Sequence, residues 1–579
     1  MKIKSVKVHN FRSIDEKLFH LNDYSVIIGA NNQGKSNFIR ALRIFYEKDK
    51  YKYDQSVDFP KFKPQDSESW IEIEYSLTDD EYSNLKEEYR LENNRLRVRK
   101  YLASSDLNRV KKNQSNIFAY ANGKLSETLF YGSKNISEAK LGTVIYIPDV
   151  MKTEDALKLT GPSPFREILS FVMSKVVKKS RAYNSLQESF KTFHSDFSVE
   201  TSSDGYSLDS VKENINTYLE DWGVKFDFTI DPIESDEILK NLVNPVLSDK
   251  DLKKQVEIGD FGQGLQRHLI YTLLSVATDY VDKKESSKKE FSPDFSLILF
   301  EEPEAFLHPT QQDILNNKLR ALANIPDQQI IITTHSSNFV SKNIDDLASL
   351  IRIKKVNGKT QVFQISSSEI QSLLLQNDQL VRYLKKIHDE PNTPVEDKGA
   401  IHELLNTDPS IVRLEQEAIK YLLWMDTERC NSFFADRVLI CEGPTEKTFI
   451  DFMIKTEWFE EFSKKKAYII ECGGKFQFHR FMNLFEKMGI EHSLLYDLDQ
   501  EGQTKKSRQH KYINQFILAS RNEYTREIDT FPKDLESYFN ISIAARPDKK
   551  PLNMMYHYKT GSIDAGKISD FKIKIFNLL

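Results

Sequence analysis

Only three cysteines occur in the 579 residues, Cys430, Cys441 and Cys472, and their spacing is neither that of a disulfide framework nor that of a zinc site. No apolar run approaches the ~20 residues that a membrane-spanning helix needs. The first residues lack the apolar core of a signal peptide. A cytoplasmic protein without a membrane partner is therefore expected. Positive charge is not in excess: 81 Lys and Arg against 86 Asp and Glu leave a formal charge of −5. Nucleic acid, if bound, must then meet a local basic patch rather than a global cationic field. There is no internal repeat, no long low-complexity tract and no sustained heptad pattern. With 39% apolar and 29% charged residues the composition is that of a soluble globular chain. It is too long for a single core, and three or four domains are expected.

The strongest positive signal is Gly29-Ala30-Asn31-Asn32-Gln33-Gly34-Lys35-Ser36. It reads G-x-x-x-x-G-K-S, the phosphate-binding P-loop. It follows the apolar run Tyr24 to Ile28 and opens a helical pattern at Asn37, which is the strand–loop–helix setting the motif requires. Its glycines let the backbone curl until several N–H groups, those of Asn31, Asn32 and Gly34 among them, face one phosphate. The helix that follows adds its positive end. Lys35 is expected to reach the β- and γ-phosphates of ATP, and the Ser36 hydroxyl to hold Mg²⁺.

Further along, Ser296-Leu297-Ile298-Leu299-Phe300 is a buried strand that ends in Glu301 and Glu302. Such a strand is expected beside the P-loop strand. Its first acid, Glu301 here rather than the usual aspartate, completes the Mg²⁺ shell; its second, Glu302, can polarise the attacking water. A second apolar strand, Gln328 to Thr333, leads to His335, which can sense the γ-phosphate. Between P-loop and acid pair stands Gly262-Gln263-Gly264-Leu265-Gln266-Arg267, a glycine-lined amide cradle without a lysine. Gly262, Gly264 and Gln266 fit a signature loop that caps a nucleotide held by another protomer.

The last quarter restarts as strand–helix–strand–helix–strand. Val438 to Cys441 is a strand ending at Glu442-Gly443. Ala467 to Glu471 is another, closed by Gly473-Gly474. Leu494 to Tyr496 is a third, ending in Asp497-Leu498-Asp499. In a parallel α/β sheet the carboxyl ends of the strands share one edge, so Glu442, Gly473, Asp497 and Asp499 should converge. Carboxylates without histidine favour a hard cation, Mg²⁺ or Mn²⁺. Glu446, one helical turn past Glu442, lies on the same face, and Glu536 offers a second metal position. Lys505, Lys506, Arg508, His510 and Lys511 follow almost directly and are expected to meet phosphate. Lys559 is a candidate for neutralising charge on the scissile phosphate.

The order P-loop, signature loop, acid strand and histidine, together with the opening Asn10-Phe11-Arg12-Ser13, resembles the ABC ATPase heads of the RecF and SMC type. E-G followed by D-x-D is similar to the Toprim domain of topoisomerases, primases and related nucleases. The two together resemble the OLD (overcoming lysogenization defect) nucleases, with the Gabija nuclease subunit and retron-associated OLD nucleases as the nearest comparisons. The resemblance implies an α/β chain: an ABC-type P-loop ATPase head with a helical dimerisation insertion, followed by a C-terminal Toprim domain. The expected boundaries are 1–160 and 251–370 for the two parts of the head and 161–250 for the insertion. A helical linker then covers 371–431 and the Toprim domain 432–579. It also implies metal-dependent cleavage or nicking of DNA under nucleotide control, a homodimer or tetramer, a role in anti-phage defence, and a neighbouring UvrD-like helicase or retron reverse transcriptase with its DNA. By resemblance Glu442, Glu446, Asp497, Asp499, Glu536 and Lys559 form the nuclease site. An ATP-gated DNA clamp or recombination mediator with a non-cleaving Toprim domain, or primase-like nucleotidyl transfer, would use the same parts.

Overall fold

The computed structural model describes residues 1–47, 51–133, 140–148, 207–227, 295–340, 344–376, 379–405 and 426–579 except 545, with shorter stretches between 148 and 295. The chain forms two compact units. The first is Met1–Leu141, Glu301–Glu304 and Ile331–Leu579; the second is Gly142–Phe300 and Ala305–Ile330.

The first unit begins with β1 (Lys2–Phe11), β2 (Ile14–His20) and β3 (Tyr24–Ile28), then the helix Lys35–Phe45. β4 (Ser69–Ser76), β5 (Arg95–Ala103), β6 (Ile117–Ala121) and β7 (Lys124–Leu125) follow. Six of these strands make one sheet in the order β2-β1-β4-β5-β6-β7, with every paired neighbour antiparallel. Strict alternation explains it: Val6, Val8, Ile71, Ile73, Leu96 and Val98 are buried, while the residues between them form cross-strand ion pairs such as Arg99–Glu72 at 2.7 Å.

In the second unit β8 (Thr143–Ile147) is followed by the hairpin of β9 (Leu247–Asp249) and β10 (Lys254–Val256), and by β11 (Ser296–Glu301). β8 and β11 pair in parallel. The helix Leu208–Leu219 is capped by Ser207, whose side chain accepts from the Ser210 N–H. Of the expected helical insertion, residues 165–177 lie outside the described residues, as do Gly262, Gly264 and Gln266, whereas Ser185, Glu188, Ser189 and Thr192 are described and helical, the Ser189 hydroxyl donating to the Ser185 carbonyl at 2.9 Å.

β12 (Gln328–Thr334) carries the chain back into the first unit, where β13 (Leu350–Val356) and β14 (Lys359–Gln364) follow. All five residues of β3 are buried, as expected of a strand covered on both faces. β13 pairs with β3 in parallel, bringing Arg352 opposite Ile28, and pairs with β14 antiparallel. On the other side of β3 stands β12, and Glu301 and Glu302 come next; the Glu302 N–H donates to the Thr333 carbonyl at 2.8 Å. The acid-bearing strand is thus not beside the P-loop strand. β12 lies between them, and it is this strand that delivers His335 to the space between Lys35 and Glu302.

In the expected helical linker the described residues include the helices Ser367–Gln376 and Gln379–Asp389. The helix Val395–Leu405 also falls within the expected helical linker, and its Asp397 is buried. Residues 406–425 of that linker lie outside the described residues.

The C-terminal α/β part holds β15 (Arg437–Cys441), β16 (Ala467–Glu471), β17 (Glu491–Asp497) and β18 (Thr525–Phe531). They form a parallel sheet in the order β16-β15-β17-β18. One core of Leu439, Phe449, Ile450, Trp458, Leu495, Phe531, Phe571 and Ile575 packs it against the helices Pro444–Met453 and Ala565–Leu578. Arg352 joins this part to β13. Buried to 3% exposure, it donates to the carbonyls of Phe433 (3.0 Å), Ala435 (2.9 Å), Met488 (2.9 Å) and Gly489 (3.0 Å).

Candidate functional site

The P-loop is built by backbone conformations that side chains resist. Gly29 has φ 152° and Gly34 φ 110°. A Cβ on Gly29 would stand 2.4 Å from the Ile353 carbonyl oxygen, and one on Gly34 2.8 Å from Thr360 Oγ1. Glycine is required at both by space and by conformation. Lys35 folds back over the loop, its Nζ donating to the Gly29 carbonyl (2.9 Å), the Ala30 carbonyl (3.2 Å) and His335 Nε2 (2.8 Å). Burial lowers its pKa to about 8, although Glu302, Glu304 and Glu301 pull the other way. His335 Nε2 also stands 3.0 Å from Glu302 Oε1, and the His335 backbone N–H donates to Glu304 Oε1. Burial, then Lys35, holds the imidazole below its usual pKa. Ser36 is exposed at the start of the helix, and Asn31 and Asn32 are exposed on the loop. Lys35, Glu301, Glu302 and His335 thus meet at one edge of one sheet. A phosphate would offer Lys35 a charged acceptor in place of two carbonyls and an imidazole.

Arg12 and Ser13, from the turn between β1 and β2, brace this loop. Ser13 Oγ accepts from Asn37 Nδ2 at 2.7 Å, and Arg12 donates to Asn37 Oδ1 at 3.1 Å and to the fully buried Asp58 at 2.9 Å. Arg12, Ser13, Asn37, Phe59, Lys61 and Phe62 line a cavity of about 450 Å³ beside the loop.

The second constellation lies at the carboxyl edge of the C-terminal sheet. The register aligns Cys441 with Glu471 and with Leu495, so Glu442, Gly473 and Asp497 leave their strands at one level. The Asp497 N–H donates to Glu442 Oε2 at 3.2 Å, and the Gly443 N–H to Glu446 Oε2 at 3.2 Å. Asp499 follows in the left-handed region at φ 50°, which turns its carboxylate back toward the sheet. Glu536, 1% exposed, comes from the short helix Leu535–Tyr538 that follows β18.

The electrostatics show how closely these acids are coupled. Burial, then Glu446, Glu442 and Asp499, push Asp497 from 3.8 up to about 9. Burial, with a smaller contribution from Glu442, raises Glu446 to about 7. Glu442 is raised by burial and opposed by Lys475. Among the described residues no three His, Cys, Asp or Glu side chains already form a cage around one point. The donor set nonetheless suits a hard divalent ion. Asp497 Oδ1 and Glu536 Oε1 are buried with no hydrogen-bond partner among the described residues, and such oxygens are costly to leave unmet.

Two cations at this edge were not among the site residues expected from the sequence. Lys475 sits directly after Gly473-Gly474, its Nζ 3.0 Å from Asp499 Oδ2 and 4.0 Å from Glu442 Oε2. Lys550 opens the helix Lys550–Lys559, with Nζ 3.5 Å from Glu536 Oε2. Burial works against its charge, but Glu536, Asp534 and Asp497 hold its pKa above the usual value. A lysine after a glycine pair at a strand's carboxyl end was the signal for Lys475; nothing in the sequence distinguished Lys550. Lys559 ends the same helix, about 13 Å further along its axis at 1.5 Å per residue. It is exposed, with its Nζ 5.7 Å from the Phe452 ring centre. The structure therefore groups Glu442, Glu446, Asp497, Asp499 and Glu536 with Lys475 and Lys550, and places Lys559 apart.

The basic run expected to meet phosphate is largely engaged by acids of the protein itself. Lys505 pairs with Glu403 at 2.9 Å, Arg508 with Glu396 and with Asp397 (2.9 Å to the latter), and Lys511 approaches Asp397 at 3.9 Å. His510 faces Lys475. The helix Val395–Leu405 thus covers much of the cationic face of the helix Lys505–Ala519.

Comparison with known proteins finds matches to the P-loop part and to the first three strands of the C-terminal sheet. The profile described as "Overcoming lysogenization defect protein-like, TOPRIM domain" matches residues 433–499, and that described as "AAA ATPase domain" matches 1–146 and 80–340. The Old nuclease of Escherichia phage P2 is 24% identical over 520 residues, covering 86% of this chain and 77% of that protein. Endonuclease GajA of Bacillus cereus (strain HuB5-5) is 22% identical over 405 residues, covering 64% of this chain and 53% of that protein. Among solved structures, the Smc head bound to the C-winged helix domain of ScpA aligns with a TM-score of 0.36 at 12% identity, covering 63% of this chain and 98% of that one.

Proposed function

We propose, from the premise that this chain belongs to the OLD family of nucleases, an AAA ATPase domain joined to an OLD-like Toprim domain, that it is a DNA endonuclease dependent on Mg²⁺ or Mn²⁺, governed by ATP at its head and acting in anti-phage defence. The observation that carries the reading is Asp497: a half-buried side chain whose buried Oδ1 has no hydrogen-bond partner among the described residues, pressed by three further carboxylates at a strand end. A protein keeps such a group only where something else satisfies it.

Glu442, Glu446, Asp497, Asp499 and Glu536 would hold the divalent ions. When bound, those ions supply a Lewis acid and a water of lowered pKa at neutral pH. The protein's own groups do the rest. The parallel sheet fixes Glu442 and Asp497 at one level, and the Asp497 N–H aims the Glu442 carboxylate. Lys550, 29% exposed and with its Nζ 3.5 Å from Glu536 Oε2, is placed to meet the negative charge of a backbone phosphate. At the head, Lys35 would exchange its carbonyl partners for the nucleotide's phosphates. Glu302 and His335, in contact with each other, would orient water, while Ser36 and Glu301 hold the nucleotide's metal. Residues 161–250 are the proposed dimerisation segment, and Gly262, Gly264 and Gln266 the loop that caps a partner's nucleotide. A neighbouring helicase or reverse transcriptase is the proposed operon partner.

Supercoiled plasmid incubated with Mn²⁺ or Mg²⁺ tests the reading. Nicked or linear product is expected from the native protein and none from D497N. Cleavage by D497N equal to wild type overturns the site assignment, and retardation of the plasmid without cleavage by wild type points instead to the DNA-clamp alternative.

A further inference from the structure

The most enclosed lysine among the described residues of the C-terminal part is Lys475, whose side chain is only 1% exposed. β16 ends at Glu471, and Gly473 (φ 73°) and Gly474 (φ 113°) turn the chain so that Lys475 runs back beneath the carboxyl edge of the sheet. Its three ammonium hydrogens are fully taken. Nζ lies 3.0 Å from Asp499 Oδ2, 2.9 Å from His510 Nδ1 and 3.4 Å from the Leu498 carbonyl, with Glu442 Oε2 at 4.0 Å. An ammonium has no acceptor, so His510 Nδ1 accepts, and the imidazole carries its proton on Nε2. Saturated and buried, Lys475 has no hydrogen left for a substrate phosphate.

The acids are therefore divided. On one side Glu442 and Asp499 share a resident monovalent cation. On the other, Asp497 Oδ1 and Glu536 Oε1 have no hydrogen-bond partner among the described residues, and the cation there, Lys550, is 29% exposed to water, with its Nζ 3.5 Å from the other Glu536 oxygen, Oε2.

We propose that Lys475 is a built-in counter-cation that reserves the Glu442–Asp499 side of the cluster, so that the substrate-free protein takes one divalent ion tightly, at the Asp497–Glu536 side, and a second only weakly. This rests on the reading of the cluster as a divalent-metal site. The physical reason is direct. An ion of charge +2 entering beside Asp499 must displace or approach an ammonium that is already hydrogen-bonded and shielded from water, where like-charge repulsion is least screened. Lys475 is thus a positioning residue. It aims Asp499, folded back at φ 50°, and sets the metal stoichiometry without touching substrate.

Calorimetric titration of Mn²⁺ into the metal-stripped, nucleotide-free full chain tests this. Wild type is expected to show one tight site per chain. K475M, which keeps the length of the side chain and removes its charge, is expected to gain a second tight site or to tighten the weak one by at least tenfold. Circular dichroism checks that K475M is folded. A K475M isotherm identical to wild type overturns the proposal and leaves the metal reading standing; absence of any Mn²⁺ binding by wild type overturns the metal reading itself. Should K475M fail to fold, D499N decides. With Lys475 in place and the tight ion on the other side, D499N should keep that ion within threefold, and loss of the tight ion would refute the division.

Discussion

Replacing Asp497 by asparagine should make the metal-free protein more stable while ending its activity, and the size of the effect follows from the structure. The carboxyl sits at about 9 in the fold and at 3.8 outside it. A carboxyl raised by folding contributes its full share of stability only below the unfolded value, and that share is lost as pH climbs toward the folded value. At pH 7 the native state must keep a proton that the unfolded chain has released across about 3.2 pH units. At 1.36 kcal/mol per unit this costs about 4 kcal/mol. Glu446, at about 7 in the fold, adds a smaller cost of the same sign. Metal-free wild type should therefore melt progressively lower from pH 4 to pH 9. D497N removes the titration and should gain as much as about 4 kcal/mol at pH 7, several degrees for a domain of this size. The assay is thermal unfolding in EDTA and in Mn²⁺ at pH 5 and pH 8. Mn²⁺ should raise the wild-type midpoint more at pH 8 than at pH 5, because fewer protons compete, and should barely move D497N. The reasoning fails if D497N and wild type melt together in EDTA at pH 8, or if Mn²⁺ stabilises both alike.

Lys35→Ala should weaken binding of a fluorescent ATP analogue by at least thirtyfold while leaving the far-UV spectrum unchanged; equal affinity would remove Lys35 from the nucleotide site. Lys550→Ala should slow plasmid nicking by roughly ten- to a hundredfold, and Lys559→Ala by less than threefold, since only Lys550 stands beside the acids; the reverse order would return the role to Lys559. Arg352→Leu should strand four buried carbonyls and cost about 3–5 kcal/mol, read as earlier proteolytic release of a fragment beginning near residue 430; an unchanged digestion pattern would show that other contacts hold the C-terminal part in place.

Much of this architecture was legible in the chain because each motif is local. A P-loop is eight consecutive residues whose glycines answer to their own backbone angles, and Gly29 and Gly34 do adopt them. The strands that end in Glu442 and Asp497 were readable as short apolar runs stopped by acids, and parallel pairing then has to bring those ends to one edge. What could not be read is whatever depends on residues distant in sequence. The insertion of β12 between the P-loop strand and the acids is a choice of strand order, which hydrophobic pattern leaves open. The pairing of Arg508 with Asp397, 111 residues away, turned a run that looked fit for phosphate into an internal contact. Lys550 and Lys559 are both lysines of one helix, and only the packing of its first turn against Glu536 separates them.

The sequence alone determined the chemistry available: a phosphate cradle near one end, a set of hard oxygen donors near the other, and three cysteines whose spacing suggests neither a disulfide framework nor a zinc site. Tertiary structure alone decided which charges are spent on one another and which are left over. A lysine is an anonymous cation until folding either buries it against Asp499, as with Lys475, or leaves it facing outward, as with Lys559. The reason is that Coulomb energy depends on distance and on exclusion of water, and neither exists before the chain is packed.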